Sequence, residues 1–126
     1  MFSHIFLGSN DLDRSQTFYD ALFAAIGGKP GHRDEAKNRI VYAHDGGRLM
    51  LAIPIDGKPA TFGNGATTGF AMTSPEQVHA WHDAGVAAGG TTCEDPPGLR
   101  EAAGLYLAYL RDPDGNKLCA LHRMPK

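Results

Sequence analysis

The sequence predicts an α+β fold of two βαβββ modules, and three observations predict it. The order strand, helix, group of strands occurs twice along the chain. Each copy holds one helix-length apolar stripe. Between the copies Pro54, Gly57, Pro59, Gly63 and Gly65 cluster, which marks a linker. The modules therefore fall at residues 1–53 and 67–122, with the linker at 54–66. A length of 126 residues suits one domain, 1–126. Repeating this order implies antiparallel-rich sheets, each backed by a helix.

Residues 2–8, rich in Phe, Ile and Leu, suit a strand. Asp11 can then cap a helix, its carboxylate accepting a free backbone N–H of the first turn. Phe18, Leu22 and Ile26 recur every four residues as one apolar stripe. Gly27-Gly28 stops that helix, because glycine takes the left-handed conformation that ends helices. Arg39 to His44 and Arg48 to Ile53 read as two strands joined at the tight turn Asp45-Gly46-Gly47.

The second module repeats the order. Thr67 to Thr73 is a strand. Ser74-Pro75-Glu76-Gln77 starts a helix: serine caps, proline fits the first helical position and Gln77 can complete a capping box. The helix runs through Val78, Trp81 and His82 to Ala88 and stops at Gly89-Gly90. Leu105 to Arg111 and Lys117 to His122 are strands joined by the turn Asp112-Pro113-Asp114-Gly115. Each module has room for one more short strand, near 28–32 and near 91–95.

Composition narrows the function classes. Apolar content of 42% and charged content of 21% are ordinary for a folded chain. A net charge of -2 and a pI of about 6.3 leave no electrostatic case for nucleic acid. Met1 to Leu7 has no basic start and no long apolar run, so neither a signal peptide nor a membrane span is expected. Cys93 and Cys119 are too few for a disulfide framework, and a reducing cytoplasmic compartment is the expectation. No Gly-rich phosphate loop precedes a helix and no Gly-x-Ser-x-Gly elbow occurs.

Four groups of residues carry a family pattern: His4 on the opening strand, Gly8-Ser9-Asn10-Asp11-Leu12 before a helix, Phe18-Tyr19 inside it, and Asp112-Pro113-Asp114-Gly115-Asn116 before the last strand. In these the chain resembles the vicinal oxygen chelate superfamily, which contains glyoxalase I, bleomycin-resistance proteins, fosfomycin-resistance enzymes and extradiol dioxygenases. The resemblance covers essentially the whole chain. It implies a curved mixed sheet whose concave face forms a ligand cup, and a homodimer. In metal-using members four side chains, usually His, Glu, His and Glu, hold a divalent ion that takes two adjacent substrate oxygens. Such an ion acts as a Lewis acid on the charge that develops in the reaction.

By that match the metal positions are His4, Met50, Thr67 and Cys119. Only His4 is a usual ligand. Methionine is a soft thioether, ill matched to hard oxygen-chelating ions, and threonine is a rare ligand. Cysteine binds zinc when ionised, yet His4 with Cys119 is half a site. Core packing is the plainer reading of Met50 and Cys119. The expectation is no cofactor, with a divalent Zn, Fe, Mn or Ni ion as the alternative.

Strand alternation extends the candidate site. With Met50 facing the cup, Arg48 and Ala52 face it too, while Leu49, Leu51 and Ile53 face the helices. Val41 and Ala43 suit the helix-packed face, which leaves Tyr42 and His44 for the cup. Cys119 and Leu121 share a face and His122 points the other way. Tyr106 shares a face with Ala108 and Leu110, and its hydroxyl is a candidate donor to a ligand. With Phe6, the candidate ligand-binding set is His4, Phe6, Tyr42, His44, Met50, Thr67, Tyr106 and Cys119. His4, His44 and Cys119 would make an unusual zinc site if the strands brought them together.

Two neighbouring features complete the reading. His79 and His82 lie three apart on one helix, with His79 expected in solvent and His82 at the core edge. Arg100, in the loop Pro96 to Glu101, could meet an anionic group from beside the cup, although an exposed arginine is the plainer reading. Two functions follow. One is a metal-free cup that binds a small hydrophobic or aromatic compound, which the ligand replacements favour. The other is a metal-dependent glyoxalase-like lyase, isomerase or dioxygenase with His4 in the chemistry.

Overall fold

A computed structural model describes residues 1–126. The first module holds β1 (Ile5–Gly8), α1 (Leu12–Ala24), β2 (His32–Asp34), β3 (Arg39–His44) and β4 (Gly47–Ala52). The second holds β5 (Thr68–Ala71), α2 (Pro75–Ala87), β6 (Thr91–Thr92), β7 (Gly98–Arg100), β8 (Leu105–Arg111) and β9 (Lys117–Arg123). Both expected short strands exist, the first of them at 32–34 rather than 28–32. β7 is additional, and lies where a loop was expected.

The helices start as their sequences dictate. The Asp11 carboxylate accepts the Arg14 N–H at 3.1 Å, and the Ser74 hydroxyl accepts the Gln77 N–H at 3.1 Å. Gln77 reaches back to accept the Thr73 N–H at 2.7 Å, which completes a capping box at the start of α2.

The repeat is visible in the sheets. The first runs β1-β4-β3-β2 and the second β5-β9-β8-β6, with β7 also paired to β8. In each, the opening strand lies parallel to the last strand of its module and the other pairings are antiparallel. The edge strands β1 and β5 do not pair, so the modules form two sheets rather than one continuous sheet.

Both sheets turn one face to a common core. Ile40, Tyr42, Leu49 and Leu51 from the first meet Ala108, Leu110, Leu118 and Ala120 from the second, around Phe18, Tyr19 and Trp81 of the helices. The opposite face of each sheet is open. Alternation behaves as expected on β4, where Leu49 and Leu51 are buried and Arg48 and Met50 lie on the open face. On β3 it runs opposite to expectation. Ile40 and Tyr42 fill the core, which puts Arg39, Val41 and Ala43 on the open face. The larger apolar pair takes the helix side because it removes more apolar surface from water. No helix is long and apolar enough to cross a membrane.

Candidate functional site

The open face of the first sheet borders a concavity. Register places Phe6 beside Met50, and Met50 beside Val41, so β1, β4 and β3 present one surface. Beside it lies a cavity of about 880 Å³ lined by Phe6, Gly8, Arg39, Ala52, Ile53 and Ile55, among others. That volume falls within the usual range for small-molecule sites. Phe6 is 44% exposed, a large apolar ring left in water on a sheet face. The Arg39 guanidinium carbon lies 5.1 Å from the centre of the Phe6 ring. The His4 ring meets the same phenyl edge-on at 5.6 Å, and its Nδ1 is 2.7 Å from the Ser3 hydroxyl.

The open face of the second sheet is built around Cys119, which pairs in register with Gly69 on one side and Tyr109 on the other. The Cys93 N–H donates to the Tyr109 carbonyl at 3.4 Å, bringing the second cysteine into the same row. Burial pushes the Cys119 thiol above its ordinary value, although Tyr109, Lys117 and Arg100 act in the other direction. Lys117 pairs with Glu94 and sits 5.1 Å from the Tyr109 ring centre. Arg100 does not reach out as an anion hook. Its guanidinium donates to the carbonyls of Asp95, Pro96 and Gly98 and braces its own loop.

The remaining predicted residues are scattered. His4, Phe6 and Met50 share the first open face, Cys119 belongs to the second, and Thr67 is exposed just before β5. Tyr42 and His44 lie on the helix side instead, bordering a separate cavity of about 240 Å³ with Phe23 and Phe70. The Tyr42 hydroxyl donates to Asp20 at 2.7 Å and its ring stacks on Phe23. Tyr106 also faces the helices, its hydroxyl 2.7 Å from His79 Nε2. His82, at the core edge as expected, sits 2.9 Å from the Thr92 hydroxyl, and burial lowers its pKa.

The metal positions do not fit a metal. A soft thioether, an exposed hydroxyl and a thiol whose pKa burial raises accompany one histidine, a donor set ill suited to a hard divalent ion. Within the chain no three His, Cys, Asp or Glu side chains converge as ligands. His4, His44 and Cys119 lie on three different faces, so the unusual zinc site is not assembled.

The turn Asp112 to Asn116, part of the family pattern, has another task. The Asp112 carboxylate accepts the Tyr19 hydroxyl at 2.6 Å, the Asn116 side-chain amide at 2.9 Å and the backbone N–H groups of Asp114 and Asn116, each at 2.9 Å. Asp114 accepts the Asn10 N–H and pairs with Arg14 at 2.8 Å. The Asn116 amide also donates to the Gly8 carbonyl at 3.1 Å. These bonds tie the start of α1 to the β8–β9 turn and so join the modules.

Sequence reasoning missed Arg39, Ile53 at the end of its predicted strand, and the linker residues Pro54 and Ile55. Arg39 was legible only as the start of a strand. The run Ile40-Val41-Tyr42-Ala43 is apolar throughout, so alternation could not choose its face.

A profile of the Glyoxalase/Bleomycin resistance protein/Dioxygenase superfamily matches residues 1–120. The chain is similar to a crystal structure of a glyoxalase/bleomycin resistance protein from Albidiferax ferrireducens T118, at 57% identity and TM-score 0.92, over 98% of each chain. It resembles a glyoxalase-related enzyme from Fulvimarina pelagi at 25% identity and TM-score 0.73, over 97% of this chain and 87% of that one. It shares its fold with a lactoylglutathione lyase from Agrobacterium tumefaciens at 20% identity and TM-score 0.69, over 97% and 92%. No curated protein matches the chain.

Proposed function

The chain belongs to the glyoxalase/bleomycin resistance protein/dioxygenase superfamily, and we propose that it binds a small, largely apolar molecule against the open face of its first sheet, without the usual four-ligand metal site. One observation carries this reading. The exposed ring of Phe6 borders a cavity of about 880 Å³, while the four metal positions hold His4, Met50, Thr67 and Cys119. Apolar concavities with a few polar groups are where small molecules bind. Met50 pairs in register with Phe6 and the His4 ring meets the Phe6 ring edge-on, so both adjoin the cavity through Phe6 rather than lining it.

The cup is completed by pairing. The first open face of one chain lies beside the second open face of a partner across a two-fold axis, which also covers the unpaired edges of β1 and β5. Tyr109 and Cys119 then form the opposite wall.

Metal analysis of protein purified without chelator or polyhistidine tag tests the reading, with His4→Ala beside it. Less than about a tenth of an equivalent per chain is expected, unchanged after incubation with excess zinc, iron, manganese or nickel. About one equivalent, lost in His4→Ala, would overturn it in favour of a metal-dependent lyase or dioxygenase.

A further inference from the structure

We infer that the ligand of the first-sheet cavity carries a carboxylate received by Arg39, with its apolar body resting on Phe6; this rests on the proposed reading of that cavity. The Arg39 Nε is buried and has no hydrogen-bond partner. Its neighbour across the strands, Asp34, does not form an ion pair with it. The Asp34 carboxylate accepts the Lys37 N–H at 3.2 Å instead. A buried donor left unpaired is costly, and native proteins retain few of them. The Arg39 side chain that carries this donor lines a cavity large enough for a ligand.

The chemistry of that group selects the ligand. A guanidinium is a planar fork that matches a carboxylate with two parallel hydrogen bonds, and it stays charged at all working pH values. Phe6 lies beneath the fork, and Ala52, Ile53 and Ile55 line the space beyond it, so the rest of the molecule meets apolar surface. The charge pattern of the open faces agrees. At the positions that face outward, their strands carry Arg39, Arg48, Arg100, Arg111, Lys117 and Arg123 against the single acid Asp34, while Arg33 of β2 turns to the core side. That is six of the twelve Lys and Arg in the chain and one of its fourteen Asp and Glu. In a chain of net charge -2, this segregation favours an anion at the cup.

Calorimetric titration of the full chain with 1-naphthoate and with its neutral isostere 1-naphthamide tests the inference, using wild type, Arg39→Gln and Arg39→Lys. Wild type is expected to bind the acid about tenfold more tightly than the amide. Arg39→Gln should bind the two alike and keep its affinity for the amide, while Arg39→Lys retains part of the preference. Thermal unfolding of Arg39→Gln should begin close to that of wild type, because the fold loses only the stacking of the guanidinium on Phe6 while a buried unpaired donor is removed. Equal binding of acid and amide by wild type, or a preference that survives in Arg39→Gln, would overturn the carboxylate and leave the cavity reading standing. Binding of neither compound would remove both.

Discussion

Asp112 shows how much one side chain can hold. Four donors converge on a carboxylate that is only 4% exposed, and burial still pushes its pKa above the ordinary aspartate value. An acid whose native pKa is raised takes up its proton more readily when folded. Its contribution to stability is full below the unfolded value near 4 and is lost as pH rises through the native value. Asp112→Asn mimics the neutral form, so its stability relative to wild type should improve as pH rises from about 4 to 7. Urea denaturation across that range checks this, and a constant difference would remove Asp112 from the pH dependence. Tyr19→Phe takes away the 2.6 Å donor and leaves the carboxylate under-satisfied. A loss of about 1–3 kcal/mol is expected at neutral pH.

At the scale of elements, the helices are placed by close approach as much as by apolar stripes. A Cβ on Gly85 of α2 would lie 2.3 Å from a Leu110 methyl and 3.1 Å from a Leu22 methyl, both fully buried. A Cβ on Gly90 would lie 2.5 Å from the Phe18 ring and 2.9 Å from the Gly85 carbonyl oxygen. The nearest obstacle at each glycine is a side chain, but the Gly85 carbonyl cannot move without bending the end of α2. Gly90→Ala is therefore expected to cost about 1–3 kcal/mol in urea denaturation, and an unchanged midpoint would show that α2 can shift away from α1. In sequence Gly89-Gly90 reads only as a helix stop. Gly89, at φ 106°, does fill that role, whereas Gly90 is required by packing.

For the whole molecule the decisive feature is that both sheets back onto one core. Their open faces then lack cover, and one holds Phe6 and half-buried Met50 while the edges of β1 and β5 stay unpaired. Light scattering behind size exclusion should give twice the chain mass of 13.5 kDa. A single chain mass at micromolar concentration would leave each cup one-sided and remove the second-sheet wall from the proposed site.

The sequence by itself determined the α+β class, the βαβββ repeat, both helices with their caps, and the β3–β4 and β8–β9 hairpins. These follow from local chemistry: apolar spacing, capping side chains and turn residues. The tertiary structure decided which face each strand turns to the core, and with it the site. Tyr42 and Tyr106 look like cup residues in sequence, yet core packing draws them to the helices, where Asp20 and His79 meet their hydroxyls. Arg39 looks like a strand edge, yet the same choice sets it over Phe6 with a donor unspent. In a strand apolar at every position, period-two alternation has two equal solutions, and only the volumes packed against it from distant elements select one.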